Sequence, residues 1–549
     1  MERPRDAAHG SEDNETLALD SSESSLHLEI SCPELSLARY WFLNVGLLMG
    51  LLLSFLDTSI VATSIYQIAS DFDALTTVNW VALAYTLSYL GCAVLFARIS
   101  DVVGRRDAFV ASYVIFIAFS IGCGFAQTLN QLIACRALQG IGGSGLYSIT
   151  MIILPEISPI RMTKFIGGMI GIVITASGVL GPVIGGILTK YTGWRWVFWI
   201  NGPIGVVSML LFYFTWPKPL YLPPIQRRSW RELDYVGSLL LIAAAVLVVF
   251  PFQNAGLTTD QWSKAIFIAP VVIGVVLWVA LFGWSVFVEW RWGDAIIATL
   301  PMRLLRDRVY ASAVLNTLIL GFPYMLIVYS FPLRLQIVNG QDALIAGVML
   351  LPMLGSSAVG SVISGAINSE KNRMFETLLI ATCLMEVGCA LLSTLSSSYD
   401  VQSEALGFLV FVGLGFGMTV STTTMLATYH SSLSDLAPAQ GIMAQVRVLG
   451  GSMGIAASST IVAMMLQQIS PPEGSGAPPQ QNQAAVREAY AKAFTKDMRV
   501  CTIIIAFAVI ASLGTYTRKR FSTAERRGEQ MRERIEMGKA AQSSQALTR

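Results

Sequence analysis

The sequence predicts an all-α integral membrane protein in which fourteen helices cross the bilayer. Two observations point to this fold class. Of the 549 residues, 54% are hydrophobic and 13% are charged, whereas about a quarter of the residues in a soluble domain are charged. Apolar runs of about 18 to 25 residues, the length that a helix needs to cross a bilayer about 30 Å thick, recur along the chain. The fourteen runs lie near 41–65, 78–97, 108–126, 130–154, 165–189, 196–215, 234–252, 265–288, 309–333, 343–366, 375–396, 404–427, 438–466 and 499–517.

The spans fall into groups of six, two and six. Longer polar connections separate the groups, KPLYLPPIQRRSWREL after span 6 and EWRWGDAIIATLPMRLLRDR after span 8. A weak repeat, ARISDVVGRRD after span 2 and GAINSEKNRM after span 10, indicates two related six-helix bundles with an inserted helix pair. The expected domains are a disordered cytosolic tail (1–39), the first bundle (40–215), a linker with two extra helices (216–308), the second bundle (309–517) and a basic cytosolic tail (518–549).

Positive charges orient the spans. With the N-terminus in the cytosol, the short inner connections carry fifteen Lys or Arg and the short outer ones carry four, in keeping with the retention of positive charge in cytoplasmic loops. Residues 1–39 are acidic and lack the pattern of a signal peptide, whereas residues 518–549 are basic, which suits an anionic inner leaflet. Residues 467–498, with the turn-rich stretch PPEGSGAPPQQNQ, are expected to form a long, mobile outer loop.

Metal, cofactor and enzyme chemistry have little support in the sequence. The cysteines are scattered without a CxxC pair, so neither a disulfide framework nor a zinc site is expected. No span carries a nucleophile–base pair, and neither tail resembles a nucleic-acid-binding patch. The cysteines are Cys32, Cys92, Cys123, Cys135, Cys383, Cys389 and Cys501, and the histidines are His9, His27 and His430.

Two charged residues lie deep inside predicted spans. Asp57 lies about eight residues below the outer end of span 1, or roughly 12 Å along a helix, and Arg136 lies about six to eight residues below the outer end of span 4, so the two are at similar depth. Charges at this depth usually face a bundle interior or an aqueous cavity and often mark an ion or proton path. A static ion pair is the structural alternative.

The stretch RALQGIGGSG, which begins at Arg136, contains the glycine spacing of a dinucleotide-binding loop at Gly140, Gly142 and Gly145. Such a loop follows a strand and opens a helix, whereas these glycines continue within an apolar span. We therefore expect them to form a smooth helix face on which span 4 packs closely against its neighbours.

Span 5 contains a second group of glycines, in ASGVLGPVIGGIL. Glycines at four-residue spacing allow close helix packing, and a proline within the span frees a backbone carbonyl and bends the helix. The sequence predicts a packing seam here that can also act as a hinge. The residues are Gly178, Gly181, Pro182, Gly185 and Gly186.

The turn between spans 2 and 3 concentrates charge in DVVGRRD, with Asp101, Gly104, Arg105 and Arg106. The arginines alone would fit simple anchoring at the inner surface, but Asp101 is not needed for that. A carboxylate at this position could cap a neighbouring helix N-terminus in one conformation and release it in another.

Three further polar residues within spans are candidates for lining a central cavity: Gln139, Glu386 and Arg447. The aromatic residues Tyr85, Tyr89, Tyr324 and Tyr329 could line a pocket for a bulky apolar solute, although packing in the core is the simpler interpretation for each of them.

Taken together, these motifs resemble the major facilitator superfamily, and within it the fourteen-span drug:proton antiporters, especially fungal exporters of toxins and other secondary metabolites. LDTSIVATSIYQIASDF, DVVGRRD, RALQGIGGSG, GVLGPVIGGILTKYTGWRWVFWINGPIG and QGIMAQVRVLGGSMGIA resemble the family's motifs on spans 1, 2–3, 4, 5–6 and 13. One departure is Ala97, where the family motif usually begins with glycine.

The resemblance implies two six-helix bundles around a central cavity, rocking between inward-open and outward-open states. It also implies proton coupling through Asp57 and Arg136, an inner gate formed by the residues of the span 2–3 turn, and the antiporter hinge in span 5. The Ala97 methyl group would tighten a helix contact next to the gate.

The expected function is therefore proton-coupled export of amphipathic organic compounds across the plasma membrane, by a monomer embedded in the bilayer and without a cofactor. The alternatives keep the fold but carry a siderophore, or move a basic amino acid into the vacuole. A non-transporting receptor or scaffold is the alternative from another class.

Overall fold

A computed structural model describes residues 36–73, 80–158, 166–217, 229–255, 264–293, 298–341, 343–368, 372–396, 400–431, 436–468 and 479–517, together with residues 78, 296 and 398. Except for residues 36–39, both predicted tails lie outside the described residues. The helices are α1 Leu37–Asp71, α2 Trp80–Val103, α3 Arg105–Phe125, α4 Leu129–Ile157, α5 Ile166–Tyr191, α6 Arg195–Trp199, α7 Asn201–Thr215, α8 Tyr235–Ala255, α9 Ala265–Trp292, α10 Met302–Arg306, α11 Arg308–Ile337, α12 Ala343–Val348, α13 Leu351–Ile367, α14 Met374–Leu392, α15 Glu404–His430, α16 Leu436–Gln467 and α17 Pro479–Leu513.

Twelve spans among the described residues are long and apolar enough to cross a membrane. They are formed by α1 to α5, α6 with α7, α9, α11, α12 with α13, α14, α15 and α16. The two other predicted spans fall on α8, whose apolar part covers Tyr235–Pro251, and on the end of α17. The multi-pass helical fold is therefore confirmed, and the count of fourteen remains a prediction.

Helices α1 to α7 form the first group, and glycines set the spacing around α4. A methyl group at Gly142 would lie 2.5 Å from the amide nitrogen of Phe116 on α3, and one at Gly140 would collide with the carbonyl of Tyr85 on α2. Only a residue without a side chain allows this approach of backbones. The predicted smooth face of span 4 is thus confirmed, and α4 lies at the centre of this group.

Helices α11 to α17 form the second group, in which glycines again allow two helices, α13 and α15, to pack closely. A methyl group at Gly360 of α13 would lie 2.5 Å from the carbonyl oxygen of Leu414 on α15, and Gly417 of α15 faces the carbonyl of Ser357 in the same way. The core of the group contains Tyr324 stacked on Phe416, with ring centroids 3.5 Å apart.

The two groups meet mainly through α5 and α16. On α5, Gly178 lies 3.8 Å from the side chain of Leu354 on α13, measured from the position of an added Cβ. On α16, Gly441 approaches Ala97 of α2, and an added Cβ would lie 3.5 Å from the Cβ of Ala97. The end of α16 that is predicted to be cytoplasmic is therefore packed against the first group.

The inserted helix α8 covers the seam between α2 and α16. Ala245 and Val249 of α8 share one apolar cluster with Leu90 of α2 and Leu449 of α16. Its partner α9 instead presents valines to the outside, among them Val275 and Val279, which are more than half exposed. In a bilayer this surface would contact lipid. The pair thus adds one helix to the bundle interface and one at the periphery.

The predicted outer loop 467–498 is partly wrong, because α17 begins at Pro479. The stretch after the proline-rich segment contains good helix formers, and Glu488 pairs with Lys492 one turn on at 2.8 Å. Ala489 and Ala493 bury against Met465 of α16. These contacts extend the last helix well before its apolar part; residues 469–478 lie outside the described residues.

Candidate functional site

Asp57 is the centre of a closed polar network that joins three helices, α1, α4 and α7. Its Oδ2 accepts from Arg136 Nη1 of α4, and its Oδ1 accepts from Gln139 Nε2 at 2.9 Å and from Asn201 Nδ2 of α7 at 3.1 Å. Asp57, Gln139 and Asn201 are fully buried, and Arg136 is 1% exposed. The two charges predicted at similar depth therefore form an ion pair with no access to solvent in this conformation.

Arg136 has partners on every side. Its Nε donates to the carbonyl of Val81 on α2 at 3.1 Å, and its Nη1 also donates to Gln139 Oε1 at 2.9 Å. The guanidinium carbon lies 4.3 Å from the ring centroid of Tyr85, a distance at which cation–π attraction operates. One side chain thus connects α1, α2 and α4.

This arrangement can couple a proton to helix packing. A buried carboxylate is stable only while charged and hydrogen-bonding partners compensate it. Protonation of Asp57 would remove the attraction that holds Arg136 to α1, and an unpaired buried cation then favours a different packing of α1 and α4. The site thus has two alternative states: Asp57 is either protonated, or deprotonated and paired with Arg136.

Asn201 is the member of the network that sequence reasoning missed. It lies in the quoted motif WINGPIG, directly after α6, and its Nδ2 also donates to Ser120 Oγ on α3 at 3.0 Å. Because the short helix α6 ends at Trp199, the first residue of α7 turns inward towards Asp57. The available signal was a polar amide within an apolar span, next to a proline that allows a helix start.

The charged turn between α2 and α3 closes on the inner end of α4. Arg105 Nη1 donates to Asp101 Oδ1 and to Ser100 Oγ, each at 2.6 Å, and its Nη2 donates to Glu156 Oε1 of α4 at 3.1 Å. Glu156 was not singled out in the sequence, since an acid at the end of a span is usually interfacial. In this conformation Asp101 is thus engaged by Arg105.

The two other gate residues have separate roles in this turn. Gly104 has φ 107° and ψ 148°, a region that is essentially restricted to glycine, and it allows α3 to start directly after α2. Arg106 lies with its guanidinium carbon 4.1 Å from the ring centroid of Tyr213 on α7. The turn therefore contacts α4 through Arg105 and α7 through Arg106.

The predicted hinge residues lie in α5 in two environments. Gly181 faces α1, where an added methyl group would collide with Ser59 and lie 3.0 Å from the amide nitrogen of Ile60. Gly178 faces α13 of the second group, Gly185 is buried, and Gly186 has open space around its missing side chain. Pro182 falls within the helix range. Close packing explains Gly181, while the hinge role stays a prediction.

The candidates for a shared cavity lie in three places. Gln139 belongs to the Asp57 network. Arg447 lies on α16 and donates from Nη1 to the hydroxyl of Tyr147 on α4 at 3.1 Å, which bridges the two groups. Glu386 lies on α14, which packs against α15 and α17, and its Oε2 has no hydrogen-bond partner among the described residues. A common cavity for all three stays a prediction.

The chain is similar to known membrane transporters. The family model "Major Facilitator Superfamily" matches residues 47–455. The "MFS-type transporter FPY5" of Fusarium mangiferae is 31% identical over 86% of this chain and 83% of its own length. "Multidrug resistance protein 3" of Bacillus subtilis (strain 168) is 30% identical over 76% and 79%. The "MFS-type efflux pump MFS1" of Arthroderma benhamiae is 29% identical over 85% and 90%.

Solved structures agree on the fold. The proton:xylose symporter XylE superposes with a TM-score of 0.57 at 13% identity, over 86% of this chain and 95% of its own. A bacterial homologue of the human lysosomal transporter Spinster, unoccupied and inward-facing, superposes with a TM-score of 0.55 at 15% identity, over 88% and 100%. At these identities the likeness concerns architecture alone.

Proposed function

Because the chain belongs to the major facilitator superfamily, whose members are transporters and not enzymes, we propose that it is a proton-coupled exporter of amphipathic organic compounds, either drugs or a secondary metabolite. The names of its relatives, which include an efflux pump and a multidrug resistance protein, support export. We further propose fourteen spans, a plasma-membrane location and action as a monomer in the bilayer.

The observation that carries the proposal is the buried carboxylate of Asp57, bound by Arg136, Gln139 and Asn201. A proton that enters from outside neutralises Asp57 and releases Arg136, so that α1 and α4 repack. Deprotonation towards the cytosol restores the ion pair. Cargo and proton thus use opposite conformations of one chain, which is the requirement for antiport by alternating access.

The inner turn and α5 complete the cycle in this proposal. The Arg105 contacts with Asp101 and Glu156 hold the inner ends of α2, α3 and α4 together as one rigid unit. The glycines of α5 let the first unit slide on α13 of the second. We also propose the six-two-six domain organisation, in which α8 moves with the α2–α16 seam and α9 stays at the periphery.

Transport in everted membrane vesicles tests the proposal. With an acidic interior, wild-type vesicles are expected to accumulate ethidium or fluorescein, and collapse of the pH gradient should abolish the accumulation. Asp57→Asn keeps the shape but cannot hold an exchangeable proton, so proton-driven accumulation should fall to background while the protein stays in the membrane.

The matched control is Asp71→Asn, the same substitution at the outer end of the same helix, where the carboxylate is half exposed and accepts from Trp194. This variant should retain accumulation. Accumulation that survives collapse of the gradient, or full activity of Asp57→Asn, would show that proton coupling at Asp57 is wrong. A charge-swapped pair at Asp57 and Arg136 that transports normally would show a purely structural ion pair.

A further inference from the structure

Arg447 is a cation at the interface of the two groups whose charge is not balanced within the described residues. It is half-buried on α16, its only hydrogen bond there goes to the neutral hydroxyl of Tyr147 at 3.1 Å, and none of the ion pairs formed by the described residues includes it. A guanidinium carries five N–H donors. Within a bilayer such a group is costly unless an anion or water accompanies it.

Arg447 contacts one end of a row of packed aromatic rings, the tyrosine wall, which consists of Tyr147, Tyr89 and Tyr85 together with Phe55. Tyr147 is stacked on Tyr89 with centroids 6.0 Å apart, and Tyr89 is stacked on Tyr85 at 5.8 Å. Phe55 of α1 meets the ring of Tyr147 edge-on at 5.4 Å. These rings are buried in this conformation, with Tyr85 and Tyr147 each 1% exposed, and they would offer flat apolar area for a planar, conjugated ligand once the two groups separate.

A second unused polar group lies in this wall. The Tyr89 hydroxyl makes no hydrogen bond within the part of the chain that the structure describes, although the side chain is only 5% exposed. A buried hydroxyl without a partner is unfavourable, and a ligand oxygen would provide the missing acceptor. Together with the free N–H groups of Arg447, it forms a set of donors.

The wall lies at the contact between the two groups. Phe55 lies on the face of α1 that carries Thr58 one turn later, and Thr58 is exposed although it directly follows the buried Asp57. Ala444 and Val448 of α16 pack against the cluster that contains Tyr147, so α16 covers the wall in this conformation. If the two groups rock apart, the donors become accessible from the opening between them.

We propose that Arg447, Tyr147 and Tyr89 form the anion-binding part of the cargo site, and that the preferred cargo is a planar amphipathic organic acid. Its carboxylate, phenolate or enolate oxygen binds Arg447, and its ring system lies against the tyrosine wall. The inference rests on the proposed export function and adds the charge of the cargo to it.

The same row of rings connects this subsite with the proton site. Arg136, the partner of Asp57, lies over the ring of Tyr85 at one end of the stack, and Arg447 binds Tyr147 at the other. A bound acid that displaces Arg447 from Tyr147 would therefore shift the stacked tyrosine rings, and these rings contact Arg136, the partner of Asp57. Cargo and proton sites are adjacent without sharing a residue.

Binding of two dyes to the full-length protein in lipid nanodiscs tests the proposal. Fluorescein and tetramethylrhodamine methyl ester share a xanthene ring system, but the first is anionic and the second cationic near neutral pH. Wild-type protein is expected to bind fluorescein more tightly. Arg447→Gln should weaken fluorescein binding about ten- to a hundredfold, as for loss of a hydrogen-bonded charge, and leave the rhodamine ester unchanged or tighter.

Further variants distinguish the subsite from a general loss of structure. Arg447→Lys keeps the cation and should retain most of the preference for fluorescein, while Tyr89→Phe should weaken fluorescein binding several-fold. Lys492→Gln removes an exposed positive charge from α17 and should change nothing. The proposal is overturned if the wild type shows no preference for fluorescein, or if Arg447→Gln weakens both dyes equally.

Failure of the proposed function would look different. Binding does not require a proton gradient, so Asp57→Asn should still bind fluorescein more tightly than the rhodamine ester even though it does not transport. Normal dye selectivity together with proton-independent transport would contradict the antiport mechanism and support the subsite. Proton-driven transport without a charge preference would contradict the subsite and support the antiport mechanism.

Discussion

Asp57 shows how hydrogen-bond partners can stabilise a single charged residue inside the membrane. Three donors from two other helices satisfy its two oxygens, and one of them is the cation Arg136. Removing one partner of such a pair leaves a buried charge that costs about 3–5 kcal/mol. The network is therefore stable only as a whole, and we propose that a single proton opens it.

A second charged pair gives a residue-scale prediction outside the membrane. Asp307 caps α11, and its Oδ2 lies 2.6 Å from Nδ1 of His430 at the end of α15. Partial burial acts to raise the pKa of Asp307, but the hydrogen bond and charge of His430 outweigh it and lower that pKa below 3.8. The contribution to stability is thus complete above the ordinary pKa and is lost as the pH falls through the lowered value.

We expect Asp307→Asn to unfold at a lower temperature than the wild type at pH values of about 5 and above, and the difference to shrink as the pH is lowered below about 4. Thermal unfolding in detergent at a series of pH values measures this. The exposed Asp400→Asn serves as the control and should follow the wild type throughout. A constant difference at all pH values would contradict the assignment of the effect to Asp307.

At the scale of the element, glycines set how close two helices lie. The span 4 glycines resembled a cofactor loop by spacing alone, yet Gly140 and Gly142 face the backbones of α2 and α3, and Gly145 faces the side chains of Ser112 and Phe96. Sequence reasoning could predict this because an apolar span excludes the loop. It could not predict α17, since a polar, proline-rich connection reads as a loop until the burial of Ala489 and Ala493 is known.

Two glycines of α5 provide a matched pair of variants. Gly181→Ala places a methyl group against Ser59 and the backbone of α1, so we expect a destabilisation of about 1–3 kcal/mol by overpacking. Gly186→Ala enters open space and should be neutral or slightly stabilising because alanine favours helix. Unfolding midpoints in detergent measure both. Equal effects at the two positions would show that close packing does not explain Gly181.

The whole molecule depends on contacts that one sequence does not reveal. Counting residues from the span ends was enough to predict that Asp57 and Arg136 lie at similar depth, and it left a static ion pair as one of two alternatives. The hydrogen bond between Arg447 and Tyr147 joins residues of different groups. It depends on how the two groups pack against each other, which the sequence does not predict. The methyl group of Ala97, which departs from the family motif, is matched by Gly441 on α16, so the tighter contact is accommodated on the opposite helix.

The contact between Ala97 and Gly441 allows a test of movement between the two groups. An added Cβ at Gly441 lies 3.5 Å from the Cβ of Ala97, within reach of a disulfide, for which the Cβ separation is about 3.5–4.5 Å. The double variant Ala97→Cys with Gly441→Cys should stop transport when oxidised and recover on reduction. The two single variants under the same oxidation are the controls. Full transport by a quantitatively cross-linked protein would show that α2 and α16 do not separate.

Proton movement during export of the cargo tests the central claim most directly. Purified protein is placed in liposomes loaded with ethidium or fluorescein, whichever it moves, without a pH gradient and in weak buffer. As the dye leaves, protons should enter, so the external pH should rise with the wild type and stay constant with Asp57→Asn. Dye efflux without any pH change, or with a fall in external pH, would contradict proton antiport through Asp57.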